Sequence, residues 1–209
     1  MTDPTLPLPP NAPFTRGELR ACAFQPQRTL DVVLAERGRL VASVLSGHAL
    51  LTLVALLTMC SLVFTAPFAA VDGAHRVGHV AMLFLGSVLL CFPSLQVFGS
   101  YLGVRLSLAQ NFTIALLIPA AAALFTFGFF PIYWFLAATM PTQGAVTGTS
   151  IRVVLLVCSL LLALSHCNRC LFLDPSLKAL RASWPLWIGW QLLLVFITYR
   201  VAVTLGLFA

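Results

Sequence analysis

Five long apolar runs, joined by short polar connections, occupy most of this chain. A helix that crosses a bilayer needs about twenty predominantly apolar residues, because backbone groups in lipid find no water and must bond within the helix. The runs are read at residues 40–66, 78–97, 110–140, 151–165 and 184–207. Hydrophobic residues make up 60% of the sequence and charged residues 9%, against about 25% charged in a water-soluble domain. Lipid must therefore be the solvent for most of the surface. The expected fold is an all-α polytopic membrane helix bundle with about five transmembrane helices.

Ahead of the first run, Pro4, Pro7, Pro9, Pro10, Pro13 and Pro26 interrupt helix and sheet bonding alike. Residues 1–28 are expected as a disordered, Pro-rich arm, with no cleavable signal peptide. Residues 29–39 place Leu30, Val33 and Leu34 on one face and Asp31, Glu36, Arg37 and Arg39 elsewhere. That is the pattern of an interfacial amphipathic helix, with Thr29 as its cap. Residues 40–209 make up the five-span domain.

The stretch 110–140 is long enough for one span with an interfacial extension, or for two cramped spans broken near Gly128 and Pro131. Charge separates the two. With one span, Arg16, Arg20, Arg28, Arg37, Arg39, Arg105, Arg169, Lys178 and Arg181 share the cytoplasmic side with the N-terminus, and only Arg76 and Arg152 fall outside. Two spans would export the cluster at Arg169, Lys178 and Arg181, against the positive-inside bias. One span is preferred, with Phe129, Phe130, Tyr133, Trp134 and Phe135 at the outer interface. Trp184, Trp187 and Trp190 anchor the inner end of the last span.

The net charge of +6 is scattered among apolar runs rather than gathered in a basic stripe, so nucleic acid is not an expected partner. Arginine far exceeds lysine, and alanine and leucine abound, a bias of GC-rich bacterial genomes. The expected location is the cell inner membrane.

Around the second and third runs, Cys91-Phe92-Pro93-Ser94 leads into Val97-Phe98-Gly99, then Gly103, Ser107 and Gln110, then a span containing Pro119. This pattern resembles the Yip1-type membrane domain, a five-span family with a cytoplasmic N-terminal region. The resemblance covers residues 40–205 in topology and about thirty residues in local pattern. It implies a membrane-organising scaffold without enzymatic activity, in which Pro93, Gly99, Gly103, Pro119 and Ala122 serve helix packing. Eukaryotic members of that family partner small GTPases in vesicle traffic.

Several residue groups invite a chemical reading. Asp72, His75 and His79 fall at i, i+3 and i+7 if the second helix starts early, and two histidines four apart can share a divalent ion. One turn supplies few ligands, so a polar turn with interfacial histidines is the preferred reading. His48, placed two turns inside the first span, is expected to hydrogen-bond a neighbouring helix. His166-Cys167-Asn168-Arg169-Cys170 has C-x-x-C spacing without a second ligand pair or a redox context, and reads as an incidental pair. Arg200 in the last span either faces a cavity or partner, or snorkels to the outer surface. The row Ala120, Ala121, Ala122 and Ala123 permits close helix approach, within the chain or to another subunit.

The acids lie in the arm, the pre-span helix and the loops, so catalysis and a cofactor are not expected. The expected function is a non-catalytic scaffold or accessory subunit of a membrane assembly, whose partners are the bilayer and either a membrane protein or further copies of the chain. The alternative is a transporter or channel component acting as an oligomer.

Overall fold

The computed structural model describes residues 12–101, 106–139, 145–172 and 184–207, and every regular element among them is helical. The arm is folded over much of its length. Helix α1 (Arg16–Ala23) is opened by a capping box, in which the Thr15 hydroxyl accepts from the Glu18 N–H (3.3 Å) and the Glu18 carboxylate accepts from the Thr15 N–H (2.8 Å). This reciprocal pair satisfies two donors that a helix start leaves loose, which is why a segment rich in proline still forms a helix. A short helix α2 (Pro26–Leu30), one π-helical turn (Asp31–Ala35) and helix α3 (Arg37–Ser46) bring the chain back. The expected disorder of residues 1–28 and a single helix over 29–39 are thus both corrected for residues 12–46. Thr29 is no cap; its buried hydroxyl donates to the Cys22 carbonyl (2.8 Å) and closes the hairpin.

The two limbs of the hairpin are tied by Arg39, which bonds Glu18 (3.0 Å), Glu36 (2.7 Å) and the Ala12 carbonyl (3.1 Å) while lying over the Phe14 ring. Burial disfavours the ionised form of Glu18, but the Thr15 N–H and the Arg39 guanidinium outweigh it and hold the carboxyl below its ordinary value of 4.5.

The five spans follow: α4 (Leu50–Ala70), α5 (His75–Tyr101), α6 (Leu108–Thr139), α7 (Ala145–Phe172) and α8 (Trp184–Thr204). All five are long and apolar enough to cross a membrane, the build of a multi-pass membrane protein. The first begins ten residues later than expected. Gly47 and Ala49 both take left-handed backbone angles (φ +70° and +55°) and break α3 from α4. Left-handed alanine is costly, about 1–2 kcal/mol, and Gln110 helps to hold the break. Its side-chain amide donates to the Val44 and Leu45 carbonyls (2.9 and 3.0 Å), while its oxygen accepts from the Ser107 N–H (2.8 Å) at the start of α6.

Helix α6 is continuous through Gly128 and Pro131, as the one-span reading requires. It is the centre of the bundle: 72% of its most apolar stretch is buried, against 33% to 44% in the other spans. Ala120, Ala121, Ala122 and Ala123 are fully buried, and the Cys60 thiol of α4 lies 3.9 Å from the Ala120 carbonyl. Buried hydroxyls at Ser61, Thr65, Thr113, Thr126, Ser159 and Thr198 each donate to the carbonyl four residues back, so none is left bare in the apolar interior.

Other features depart from expectation as well, including the start of α7 at Ala145 rather than near 151. Helix α5 continues past Gly99 to Tyr101, and Gly99 stands 3.7 Å, measured from an ideal Cβ position, from the Asn111 amide nitrogen. Helix α7 runs seven residues beyond Ser165, because its polar residues find partners inside the protein. Trp187 and Trp190 are buried and stacked at 5.1 Å, facing the bundle, and only Trp184 of the three is exposed. Residues 1–11, Gly103, Arg105, Lys178 and Arg181 lie outside the described residues.

Two outcomes follow from this packing. Leucine at Ala122 must push α6 away from its neighbours, and overpacking of this kind costs about 1–3 kcal/mol; Ala122→Leu should lower the melting temperature of the protein in detergent. The Glu18 contribution is complete above the ordinary carboxyl value and is lost as pH falls through the lower folded value. The pair is partly exposed to solvent, so the loss is small, about 0.2–1 kcal/mol. Limited proteolysis should find the arm protected at pH 7 and easier to cut below pH 4.5, with Glu18→Gln easier to cut at both.

Candidate functional site

The most concentrated polar chemistry lies at the end of the bundle opposite the arm, where α4 ends at Ala70 and the turn to α5 carries Asp72. Gly73 (φ +115°) supplies the reversal there, and Arg76 follows in the first turn of α5. The Asp72 carboxylate has one partner on each oxygen. Tyr133 of α6 donates its hydroxyl to Oδ1 (2.6 Å), and Arg152 of α7 donates Nη1 to Oδ2 (3.0 Å). Tyr133 is held for this task by stacking on Phe68, with ring centroids 4.6 Å apart.

Arg152 reaches further. Its Nη2 donates to the Leu207 carbonyl, and Arg76 donates to the neighbouring Gly206 carbonyl (3.2 Å). Those carbonyls are loose because α8 ends just before them. Gly206 takes a left-handed angle (φ +63°), the Leu207 N–H returns to the Ala202 carbonyl (3.0 Å) and the Gly206 N–H to that of Val203 (3.1 Å). This is the Schellman termination, with Leu207 fully buried beneath it. Two guanidiniums therefore sit at the negative end of the α8 dipole, where cations are favoured.

The cluster joins the α4–α5 turn to α6, α7 and α8 through one carboxylate and two arginines. Arg152 is 5% exposed, and its Nε is buried with no hydrogen-bond partner among the described residues. A desolvated cation is tolerable only with its counter-charge and acceptors in place. Chemically the arrangement is a clamp, since each carboxylate oxygen already accepts a bond.

A second polar group ties α7 to α8 and the arm. Asn168 accepts from Trp187 Nε1 (2.7 Å) and Gln191 Nε2 (2.6 Å), while Trp190 Nε1 donates to the Cys91 carbonyl (3.1 Å). His166 Nε2 lies 2.9 Å from the Val33 carbonyl in the arm's π-helical turn and 3.4 Å from the Cys170 sulfur. Since a carbonyl can only accept, that nitrogen carries the proton.

The residues singled out from sequence separate accordingly. Asp72 turns to Tyr133 and Arg152, away from His75 and His79. Those two rings stand 6.4 Å apart, with His79 Nδ1 on the His75 carbonyl (2.9 Å). No group of three or more His, Cys, Asp or Glu able to hold a metal gathers among the described residues. His48 is exposed in the break between α3 and α4 and lies outside the span, which corrects its expected depth. Cys167 and Cys170 are buried free thiols. Arg200 is exposed on α8, pointing away from the bundle. Pro119 and Ala122 are buried in α6, whereas Pro93 is exposed, within a stretch where Ser94 and Trp190 bond the Cys91 carbonyl.

Sequence reasoning missed Arg152 and Tyr133. A signal existed: charge counting places Arg76 and Arg152 on one side of the membrane, and the turn carrying Asp72 lies on that side too. One acid among two arginines at a common level is a pair waiting to form. Tyr133 had no such signal, because an aromatic at an interface is ordinary. No protein-family model, curated protein or solved structure matches this chain.

Removal of Tyr133's hydroxyl (Tyr133→Phe) should cost about 0.5–1.5 kcal/mol. Asp72→Asn leaves Arg152 buried without its counter-charge and should cost about 3–5 kcal/mol. Thermal unfolding in detergent should therefore rank wild type above Tyr133→Phe, and Tyr133→Phe well above Asp72→Asn.

Proposed function

We propose that this chain is a non-catalytic scaffold or accessory subunit of a membrane assembly, with its arm on the cytoplasmic side of a bacterial inner membrane. The observation that carries this reading is the use made of the interior polar groups. Asp72, Tyr133, Arg152, Asn168, Gln191 and His166 each bond another part of the same chain. They fasten helices together around the closely packed alanines of α6. Such a body offers its outer faces and its arm to others. The likeness to Yip1-type domains belongs to the same proposal and rests on the sequence pattern from Cys91 to Pro119.

Arg200 favours a partner within the membrane. It stands exposed on α8 beside exposed Phe196, Tyr199 and Val203 and makes no ion pair among the described residues. A cation on an apolar face gains from a polar group on a neighbouring protein. The same face could join copies of this chain, which is how a transporter or channel component would be built. Crosslinking in native membranes, followed by purification and mass spectrometry, separates the two. A stoichiometric second protein is expected. A homo-oligomer alone would overturn the scaffold reading in favour of the transport one, and Arg200→Leu should reduce recovery of whichever neighbour is found.

A further inference from the structure

We propose that the groove between α1 and the first half of α4 binds an anionic phospholipid, with Arg16 and Arg20 on the phosphate and an acyl chain along α4. The cavity measures about 630 Å³, inside the roughly 300–1,000 Å³ range of small-molecule sites. Its walls change character along their length. At one end stand Arg16 and Arg20, with Gly47 and Ala49 at the helix break; further along, Leu51, Ala55, Leu56 and Met59 of α4 face Ala23. A second groove of about 220 Å³ continues past Met59 to Val63 and Phe64.

The charge is one-sided. Arg16 and Arg20 are four residues apart on α1, so they share a face, and both are exposed. Neither forms an ion pair among the described residues. Glu18, the acid between them in sequence, is turned to Thr15 and Arg39 on the hairpin's inner side. No carboxylate lines the groove among the described residues. Two adjacent guanidiniums with free donors match a phosphate diester, which each can bind through two parallel bonds.

The apolar part fits the other half of a lipid. Leu51 and Met59 are 85% and 51% exposed on α4, and large apolar side chains open to a groove beside paired cations suit an amphiphile. From Leu50 to Met59 the helix rises about 14 Å, close to the roughly 15 Å depth of one leaflet's hydrocarbon. A phosphate at Arg16 and Arg20 would thus place its chain alongside α4 at leaflet depth. The arm would be fastened to the membrane by the lipid as well as by the protein.

The test is native mass spectrometry of the full-length protein in detergent, titrated with phosphatidylglycerol or with phosphatidylcholine of the same chains. Wild type should retain phosphatidylglycerol preferentially. Arg16→Gln with Arg20→Gln should weaken that retention by about thirtyfold, from two juxtamembrane cations, whereas Arg169→Gln, at an exposed arginine outside the groove, should leave it unchanged. Ala55→Trp, at an exposed position on the groove wall, should also reduce retention without lowering the melting temperature. Equal retention of the two lipids, undiminished retention in the double variant, or full displacement by glycerol phosphate, which lacks chains, would each overturn the proposal.

Discussion

A carbonyl that leaves its helix inside an apolar bundle has no water to bond, and the cost of leaving it bare is several kcal/mol. The architecture of this chain is organised around that constraint. At several places where a helix ends or turns near its neighbours, a side chain from another element donates to the loose carbonyl. Gln110 of α6 covers the end of α3, His166 of α7 covers the π-helical turn, and Arg76 and Arg152 cover the end of α8. Each of these bonds repairs one helix with a residue of another. Helix termination and tertiary packing are in this way the same event.

The same rule explains which parts of the fold could be read from the sequence. Hydropathy sees the bulk of a span, so five apolar runs were legible, and the distribution of charge chose one span over two for 110–140. Hydropathy fails where a polar residue is satisfied by a distant partner. His166, Asn168 and Arg169 end the apolar run of α7 on paper, yet the helix persists because Val33, Trp187 and Gln191 meet two of them. At the first span the error has the opposite sign. Residues 40–46 are apolar enough to extend a span, but the left-handed pair at Gly47 and Ala49 assigns them to α3. The capping signature Thr15-Arg16-Gly17-Glu18 stands in the sequence and was missed among the surrounding prolines. The partnership of Asp72 with Tyr133 links residues sixty-one positions apart, and no local pattern encodes it.

The polar groups also set where the structure is stiff and where it has room. Helices α7 and α8 are fastened near one end by Asn168 with Trp187 and Gln191, and near the other by Arg152 on the Leu207 carbonyl. Between these fastenings α5, α7 and α8 line an open apolar groove of about 290 Å³, walled by residues such as Leu83, Leu156, Leu160 and Val195. The contrast with α4 and α6 is instructive. There the alanines at 120–123 let the helices approach closely, and along that contact packing is joined only by the weak Cys60 thiol bond to the Ala120 carbonyl among the described residues. Where the facing residues are bulky and branched, close approach is lost and bonds at the two ends take over.

Arg152 shows why such a fastening tolerates little change. A buried ion pair adds modestly to stability when complete, since desolvation offsets most of the attraction, but it penalises heavily any state in which one member is missing. Its effect is thus on specificity: arrangements of α7 and α8 that separate Arg152 from Asp72 and from the α8 carbonyls leave a cation in hydrocarbon. In a bundle whose apolar faces are chemically alike, lipid contact discriminates poorly between one helix arrangement and another. A single arginine at the far end does discriminate, because it fixes which helices meet, at what depth and in which rotation. The alanine stripe of α6 supplies close contact, and the Asp72–Arg152 pair selects the one assembly in which that contact is made.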